Sequence, residues 1–338
     1  MEKILIVGIG LIGGSIARDL GAVYALDKDE ESLKRAQGCL IKGFGDISKV
    51  DIIPDIVLLC VPVNVAISMA EELTGRFPDA LYIDCCSTKR TVEAAYSSVS
   101  YAGMHPMAGS EGSGFEHSRK GLCKGAVMCV SGSGGARERA IKLAVALGGR
   151  VVELDAASHD RAVATVSHLP HIIASSLCAS ADAQRAQMPV IKELAAGGFA
   201  DITRIADSDP TMWSAIYRDN ADMLLESLDS FERELDKWRV LIKKGDITSL
   251  KEHFEACKRS KQPFKREGKG IYPKEGVRLF VQCDEQDAPE LCMIAMRNKA
   301  VAVSRCTDGV SIVCTCRDDA LGLKALLTSE EKWKNTVL

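Results

Sequence analysis

Three separated segments of the chain carry residue types that together could oxidise a small anionic molecule. His105 offers an imidazole that can accept a proton near neutral pH. Arg204 offers a guanidinium suited to holding a carboxylate through two hydrogen bonds. Residues 8–13 have the spacing G-x-G-x-x-G, which is typical of a turn that holds the pyrophosphate of a dinucleotide. A redox cofactor, a proton acceptor and an anion clamp suggest an enzyme that removes a hydride from an anionic substrate.

The glycine-rich run lies where a dinucleotide site requires it. It follows a predicted strand at residues 3–7 and precedes a predicted helix, whose first N–H groups would face the phosphates. Asp27 closes the next predicted strand, 19 residues after Gly8, where a carboxylate favours the ribose of NAD over the phosphorylated ribose of NADP. A glycine-rich turn without a ligand is the structural alternative. The predicted cofactor-binding residues of this segment are Gly8, Gly10, Leu11, Ile12, Gly13 and Asp27.

Ser87 and His105 are predicted to be neighbours. Each follows a predicted strand, at residues 80–84 and 98–104, and parallel strands bind ligands at the edge where their carboxyl ends meet. The imidazole of His105 could take a hydroxyl proton, and the Ser87 hydroxyl could orient the imidazole or the substrate. The alternative for His105 is a structural histidine that caps its loop. The alternative for Arg204 is an ion pair with a neighbouring aspartate.

His168 and His171 lie three residues apart in a predicted helix, so their side chains share one face. Two histidines at this spacing could contribute to a metal site, but the sequence offers no third ligand and we expect no metal. A role in the core and a contact with substrate are both open for this pair.

The pattern of predicted elements indicates an α/β fold in the N-terminal part of the chain. Short β-branched runs alternate with helical stretches, which is typical of a Rossmann-type doubly wound parallel sheet with helices on both faces. The predicted strands cover residues 3–7, 22–26, 55–60, 80–84, 98–104, 126–130 and 150–153.

The rest of the chain predicts an all-α dimerisation domain and a small α+β C-terminal module. Helices are predicted at residues 157–184, 188–196 and 211–244, and the last has an apolar stripe at helical spacing. Such a long helix suggests a homodimer interface, and a stripe buried within one chain is an equal alternative. The predicted domains are 1–156 for NAD binding, 157–257 for substrate binding and dimerisation, 258–276 as a linker and 277–338 as the module. The stripe consists of Leu228, Phe231, Leu235, Trp238 and Ile242.

Composition narrows the class of protein. The chain has 338 residues and a formal net charge of −3, so neither nucleic acid nor an acidic membrane is an expected partner. Its thirteen cysteines are scattered, several within apolar runs, which suggests reduced thiols and a cytoplasmic protein. We expect no leader peptide and no membrane span, which would need roughly 20 apolar residues.

Several motifs follow one another in a characteristic order and spacing. They are Gly10-Leu11-Ile12-Gly13-Gly14-Ser15, Cys60-Val61-Pro62-Val63, Ser87-Thr88-Lys89, 105–111, Ser113-Gly114, 167–171, 197–206 and 209–213. Together these segments resemble the prephenate/arogenate dehydrogenase family, and the resemblance covers about residues 1–260. It implies oxidative decarboxylation of prephenate, or arogenate, with NAD, in the biosynthesis of tyrosine.

The resemblance also implies a role for each matching residue. His105 would draw the proton from the ring hydroxyl, assisted by Ser87, and Arg204 would hold the ring carboxylate that departs as CO2. His171, with His168 nearby, would line the side-chain end of the substrate. Further implied residues are Glu111 as a gate, Trp213 in the pocket wall, and Val61, Pro62 and Ser87 beside the cofactor. We expect prephenate with NAD, and arogenate or dual cyclohexadienyl use is the alternative.

Three positions depart from the family pattern. Cys86 stands where glycine is common, Ala200 where a basic residue is frequent, and Glu290 where an ACT regulatory module has a ligand-contacting glycine. The departure at Cys86 leaves the conformation of its loop open, and we expect a degenerate ACT-like module. Two other functions are weighed. A β-hydroxyacid dehydrogenase would use a catalytic lysine on a helix in place of His105, and a cofactor-sensing protein would bind NAD without turnover.

Overall fold

The computed structural model describes residues 2–109, 112–264, 277–284, 286–298, 300–306, 309–314, 317–329, 333 and 336–337. The chain forms two compact units, Met1–His159 with Tyr272–Leu338 and Asp160–Ile271. The predicted substrate residue Glu111 and residues 265–276 of the predicted linker lie outside the described residues.

An eight-stranded sheet forms the centre of the first unit. Its strands are β1 (Ile4–Val7), β2 (Val23–Leu26), β3 (Leu40–Phe44), β4 (Ile56–Leu59), β5 (Leu81–Asp84), β6 (Ser100–Pro106), β7 (Val127–Val130) and β8 (Arg150–Glu153). They follow the order β3-β2-β1-β4-β5-β6-β7-β8, the doubly wound order that reverses between β1 and β4. The predicted Rossmann-type architecture is present.

Two features of the sheet differ from the prediction. Strand β3 was not predicted, because it is an edge strand whose residues are mostly exposed and therefore lack an apolar run. Strands β6 and β7 are antiparallel, whereas the other neighbouring pairs are parallel. An antiparallel pair needs no helical crossover, and the connection between β6 and β7 contains a short 3₁₀ turn at Phe115–His117.

The core of this unit lies on both faces of the central strands. Strands β4 and β5 are buried along their whole length, which explains their continuous apolar sequences. Leu58 and Ile83 are fully buried, and helices connect most of the strands. Those helices are α1 (Leu11–Leu20), α2 (Glu30–Ala36), α3 (Val63–Ser68), α4 (Ala70–Arg76), α5 (Arg90–Ala95) and α6 (Gly134–Ala146).

The second unit is helical, as predicted. Its first helix, α7 (Ala156–Val163), begins in the first unit and continues through a π turn (Ala164–His168) into α8. The further helices are α8 (Leu169–Arg185), α9 (Ile191–Leu194), α10 (Gly197–Thr203), α11 (Pro210–Asp219), α12 (Ala221–Lys244) and α13 (Ile247–Ser260). The single helix predicted for 211–244 is two helices, divided at Asn220, whose side chain is buried.

The apolar stripe of α12 is incompletely covered by its own chain. Trp238 packs against His253 and Phe254 of α13. Leu235 and Ile242 remain 46% and 66% exposed. The stripe is therefore only partly buried within its own chain.

One helical segment departs from the expectation that no part of the chain could span a membrane. Ala156–Arg185 is long and apolar enough by length and composition alone, and 28% of its most apolar window is buried. The same segment contains His159, His168 and His171.

The C-terminal module is a small antiparallel sheet with two helices. Its elements are β9 (Val277–Gln282), α14 (Ala288–Arg297), β10 (Ala300–Cys306), β11 (Gly309–Cys314), α15 (Arg317–Thr328) and β12 (Thr336–Val337). The strand order β10-β11-β9-β12 gives the β-α-β-β-α-β arrangement of ferredoxin-like folds, with one more strand than predicted. The module belongs to the first unit, where α14 packs on α6 and Arg297 pairs with Glu138.

Candidate active site

The turn between β1 and α1 is shaped by two glycines and left open at a third. Gly8 has a φ of +89°, and a Cβ there would lie 2.7 Å from the carbonyl oxygen of Cys60. A Cβ on Gly13 would lie 2.0 Å from the carbonyl oxygen of Gly8. By contrast, a Cβ on Gly10 would meet no atom within 4 Å. The close packing of strand on helix and the open space at Gly10 are what a bound pyrophosphate requires.

The Asp27 carboxylate is fixed at the end of β2. Its Oδ2 accepts a hydrogen bond from the Ile9 N–H at 2.7 Å, and its Oδ1 accepts one from the Asp29 N–H at 2.9 Å. Each carboxylate oxygen has a further lone pair for a ribose hydroxyl. Asp27 therefore stabilises the glycine turn and holds a negative charge beside it.

Other predicted cofactor residues adjoin this turn. Leu11 and Ile12 form the first turn of α1 and are half-buried. Val61 and Pro62 follow β4, the strand paired with β1, and the Val61 side chain lies against Gly8. The described residues therefore fit a dinucleotide that lies across the carboxyl ends of β1 and β4.

The loop that presents Ser87 rests on a buried ion pair. The Lys89 Nζ lies 2.5 Å from the Asp84 Oδ1, and both side chains are fully buried. The same ammonium donates to the carbonyl oxygen of Cys86 at 2.6 Å, and the Tyr101 hydroxyl donates to the Asp84 Oδ2 at 2.5 Å. Burial works against the charged ammonium, but the adjacent Asp84 carboxylate outweighs it and raises the pKa of Lys89. These contacts tie the loop to β5 and β6.

The loop accommodates Cys86 at the position where the family commonly has glycine. Its N–H donates to the Asp84 Oδ1 at 2.9 Å, and its thiol faces the carbonyl oxygen of Val61 at 3.4 Å. Its φ is not positive, so no glycine is needed at this position. Burial raises the pKa of the Cys86 thiol well above its usual value, which keeps it protonated.

His105 lies at the carboxyl end of β6, the strand next to the one that leads into the Ser87 loop. The register pairs Asp84 with Gly103, so the residues that follow both strands are at one edge of the sheet. The His105 Nδ1 lies 2.9 Å from the Nε2 of His159, and the two rings meet edge to face. His159 is 1% exposed on α7. No local sequence pattern points to His159, because its contact with His105 joins residues 54 apart.

The second unit gathers aromatic and imidazole rings around Trp213. The His171 ring stacks on Trp213 with centroids 3.6 Å apart, and its Nδ1 donates to the carbonyl oxygen of Ser167 at 2.9 Å. Burial lowers the pKa of His171, and the nearby charge of Arg204 lowers it further, against the opposing hydrogen bond to Ser167. A neutral His171 with its proton on Nδ1 has an acceptor lone pair at Nε2.

His168 and Arg204 have different surroundings. His168 is 1% exposed, meets the edge of Trp213, and its Nδ1 lies 3.3 Å from the amide nitrogen of Asn220. These contacts favour the core role among the two open for His168, where it supports Trp213. Arg204 begins a 3₁₀ turn after α10 and is exposed. Among the described residues, no three His, Cys, Asp or Glu side chains are grouped as a metal ion would need.

Two family models match consecutive parts of the chain. Residues 13–152 match the prephenate dehydrogenase nucleotide-binding domain, and residues 155–256 match the prephenate dehydrogenase dimerization domain. The prephenate dehydrogenase of Lactococcus lactis subsp. cremoris is 33% identical over 314 residues, which cover 88% of this chain and 86% of that protein. The chain belongs to the prephenate dehydrogenase family. The family, the fold class and an NAD-dependent oxidoreductase, all predicted from the sequence, are confirmed by these matches.

Other members of the prephenate dehydrogenase family have related names and structures. The cyclohexadienyl dehydrogenase of Zymomonas mobilis is 32% identical over 289 residues, covering 78% of this chain and 96% of that protein. The prephenate dehydrogenase of A. aeolicus, solved in complex with hydroxyphenyl propionate and NAD+, has a TM-score of 0.72 at 31% identity. That match covers 78% of this chain and 99% of the A. aeolicus chain.

Proposed function

We propose that the chain catalyses the NAD-dependent oxidative decarboxylation of prephenate to 4-hydroxyphenylpyruvate and CO2, in tyrosine biosynthesis. The observation that carries the proposal is an imidazole, His105, at the cofactor edge of a doubly wound sheet in a chain with both domains of this family. NAD+, when bound, accepts the hydride.

His105 acts on the ring hydroxyl of the substrate. It draws the hydroxyl proton, and the oxygen then releases electron density toward the ring carbon, from which the hydride leaves. The ring loses its carboxylate as CO2, and the electrons of the broken C–C bond complete the aromatic ring. The proton remains with, or returns to, the phenol oxygen of the product. Ser87 orients the hydroxyl, and the Lys89–Asp84 pair keeps the Ser87 loop in place.

Residues of the second unit bind the anionic ends of the substrate in this proposal. Arg204 holds the ring carboxylate, for which a guanidinium has the matching geometry. His171 and Trp213 contact the side-chain end, supported by the buried His168. Glu111 is assigned to the gate of the pocket by resemblance alone.

Arogenate is a second candidate substrate, favoured by one specific observation. Because the Nδ1 of His171 donates to Ser167, a neutral His171 has only an acceptor at Nε2. An acceptor suits the ammonium group of arogenate, whereas the keto group of prephenate cannot donate a hydrogen bond. The similarity to a cyclohexadienyl dehydrogenase agrees with use of both substrates.

A matrix of two substrates against two cofactors tests the proposal. Purified protein is supplied with prephenate or arogenate and with NAD or NADP, and formation of the reduced cofactor is followed. We expect the highest kcat/KM with prephenate and NAD. Turnover of arogenate alone would replace the first candidate by the second. Cofactor binding without turnover of either substrate would instead support a cofactor-sensing protein.

We further propose a cytoplasmic homodimer formed through the helical unit. The exposed apolar residues of α12 and of the segment Ala156–Arg185 lie within the part of the chain that matches the family's dimerization domain. A subunit interface would cover these residues, so the apolar segment needs no membrane.

A further inference from the structure

The contact between His105 and His159 constrains where the proton on His105 can be. Two imidazole nitrogens 2.9 Å apart form a hydrogen bond only when one carries a proton and the other a lone pair. The choice matters because a neutral imidazole has one proton. If the Nδ1 of His105 is the donor, its Nε2 is a proton acceptor. If the Nδ1 is the acceptor, Nε2 already carries the proton and cannot receive another.

The proposed role of His105 requires the first arrangement, because only there does its Nε2 have a lone pair for the substrate proton. The partner in this contact, His159, is almost completely buried, with 1% of its surface exposed. Its position is fixed by α7, which follows β8, whereas His105 is half-buried at the end of β6. A buried neutral imidazole with its proton on Nδ1 is an acceptor at Nε2, the atom that faces His105.

We propose that His159 is a positioning residue that accepts a hydrogen bond from the Nδ1 of His105 and so holds the lone pair of His105 at Nε2. This inference rests on the proposed role of His105 in the reaction. The substrate hydroxyl gives its proton to the Nε2 of His105, and the resulting imidazolium keeps its Nδ1 proton, hydrogen-bonded to His159. No proton passes to His159. The arrangement resembles the way a carboxylate orients a catalytic histidine in hydrolases, with a neutral imidazole as the orienting group.

The direct test is the tautomer of His105, which is measured without substrate. The full-length protein is labelled with ¹⁵N-histidine, and long-range ¹H–¹⁵N spectra are recorded above the titration of both rings. The chain has six histidines, and the His105→Asn variant identifies the signals of His105. We expect a protonated Nδ1 and an unprotonated Nε2. A proton on Nε2 of wild-type His105 would overturn the inference.

Variants of His159 give a second readout. His159→Phe removes the acceptor, so we expect the His105 proton to move to Nε2 and kcat to fall about 10²-fold, a typical value of a positioned proton acceptor. His159→Gln offers a carbonyl oxygen in its place and should restore the Nδ1 tautomer and part of kcat. His253→Phe is the matched control, because His253 packs against Trp238 in the helical unit. An unchanged tautomer in a folded His159→Phe variant, or loss of kcat in His159→Gln equal to that in His159→Phe, would contradict the inference.

The two proposals fail in different ways. If His105→Asn retains full kcat while the Nδ1 tautomer is observed, the proposed function of His105 is wrong and the contact with His159 stands. If His105→Asn is inactive and the tautomer is insensitive to His159, the positioning role alone is wrong.

Discussion

In the proposed mechanism, the chemical step depends chiefly on the side chain of His105. His105→Asn keeps a polar group of similar size but removes the proton acceptor, so we expect kcat to fall roughly 10²–10⁴-fold. The affinity for NAD should change little, because the dinucleotide turn lies on β1 and α1. Steady-state kinetics and fluorescence titration with NAD measure the two quantities. An unchanged kcat would remove His105 from the mechanism.

Arg204 is expected to act on substrate capture. The exposed guanidinium contributes one charge-assisted contact, so Arg204→Gln should weaken substrate binding by about 2 kcal/mol, roughly thirtyfold in KM. Arg218→Gln, another exposed arginine of the helical unit, is the matched control and should leave KM unchanged. If KM is equally insensitive to both variants, Arg204 is part of a structural ion pair.

The lowered pKa of His171 predicts how the folded protein responds to pH. Burial lowers the pKa below the ordinary value, chiefly through desolvation, so the unfolded chain binds a proton at a pH where the folded chain does not. The stabilisation is complete above the unfolded pKa, about 6.5. It is lost as the pH falls through the folded pKa. An NMR titration of His171 should give a pKa below that of an unfolded peptide, and Arg204→Gln should raise it. A pKa of His171 at or above the peptide value would contradict the proposed effect of burial on this imidazole.

At the scale of elements, the Ser87 loop is held by the fully buried ion pair between Lys89 and Asp84. Lys89→Met leaves the buried Asp84 carboxylate without its ammonium, so we expect a loss of about 3–5 kcal/mol in the free energy of unfolding. Lys42→Met is the control, since Lys42 and Asp51 form an exposed pair whose loss should cost less than about 1 kcal/mol. Urea unfolding of both variants tests this. Equal, small losses would mean that the loop is held by other contacts.

The sequence predicted those elements whose local pattern decides their structure. The central strands β4 and β5 are buried on both faces and therefore have apolar runs that are visible without a structure. The division of the long helix at Asn220 was missed, because the apolar periodicity continues across it. The break becomes intelligible only from the buried amide of Asn220, which donates to the carbonyl oxygen of Asp160 at 2.8 Å, 60 residues earlier.

The same limit applies to the site. The glycine turn and Asp27 are one local motif with known spacing, so sequence alone could place them. His159 could not be placed, because its importance comes from a contact between α7 and the end of β6. The support of Ser87 by Lys89, Asp84 and Tyr101 likewise needs the register of β5 on β6, which no local pattern encodes.

At the scale of the whole molecule, the exposed stripe of α12 predicts the oligomeric state. Leu235→Glu places a charge in the proposed interface, so we expect dissociation to monomers at micromolar concentration in sedimentation velocity. Lys237→Glu introduces the same side chain about 200° around the helix and should leave the dimer intact. A wild-type protein that is monomeric, or a Leu235→Glu variant that remains dimeric, would exclude this interface.

The sequence pattern also did not predict that the C-terminal module belongs to the first unit. The predicted linker suggested an independent module, whereas α14 packs on α6 through contacts such as Arg297 with Glu138. Because these partners are 159 residues apart, composition and local periodicity could not predict their contact.

The π turn at Ala164–His168 has a consequence for how the helical unit could have arisen and how it can be changed. A π turn is equivalent to one residue inserted into a regular α-helix. The turn absorbs that residue, so deleting one residue there, such as the exposed Thr165, would restore a regular α-helix and leave α8 in its present orientation. A regular α-helix that kept all the residues of the turn would instead rotate α8 by about 100° and take His171 off the face of Trp213. The π turn therefore lets the helix contain one extra residue while the imidazole keeps its place on the indole ring.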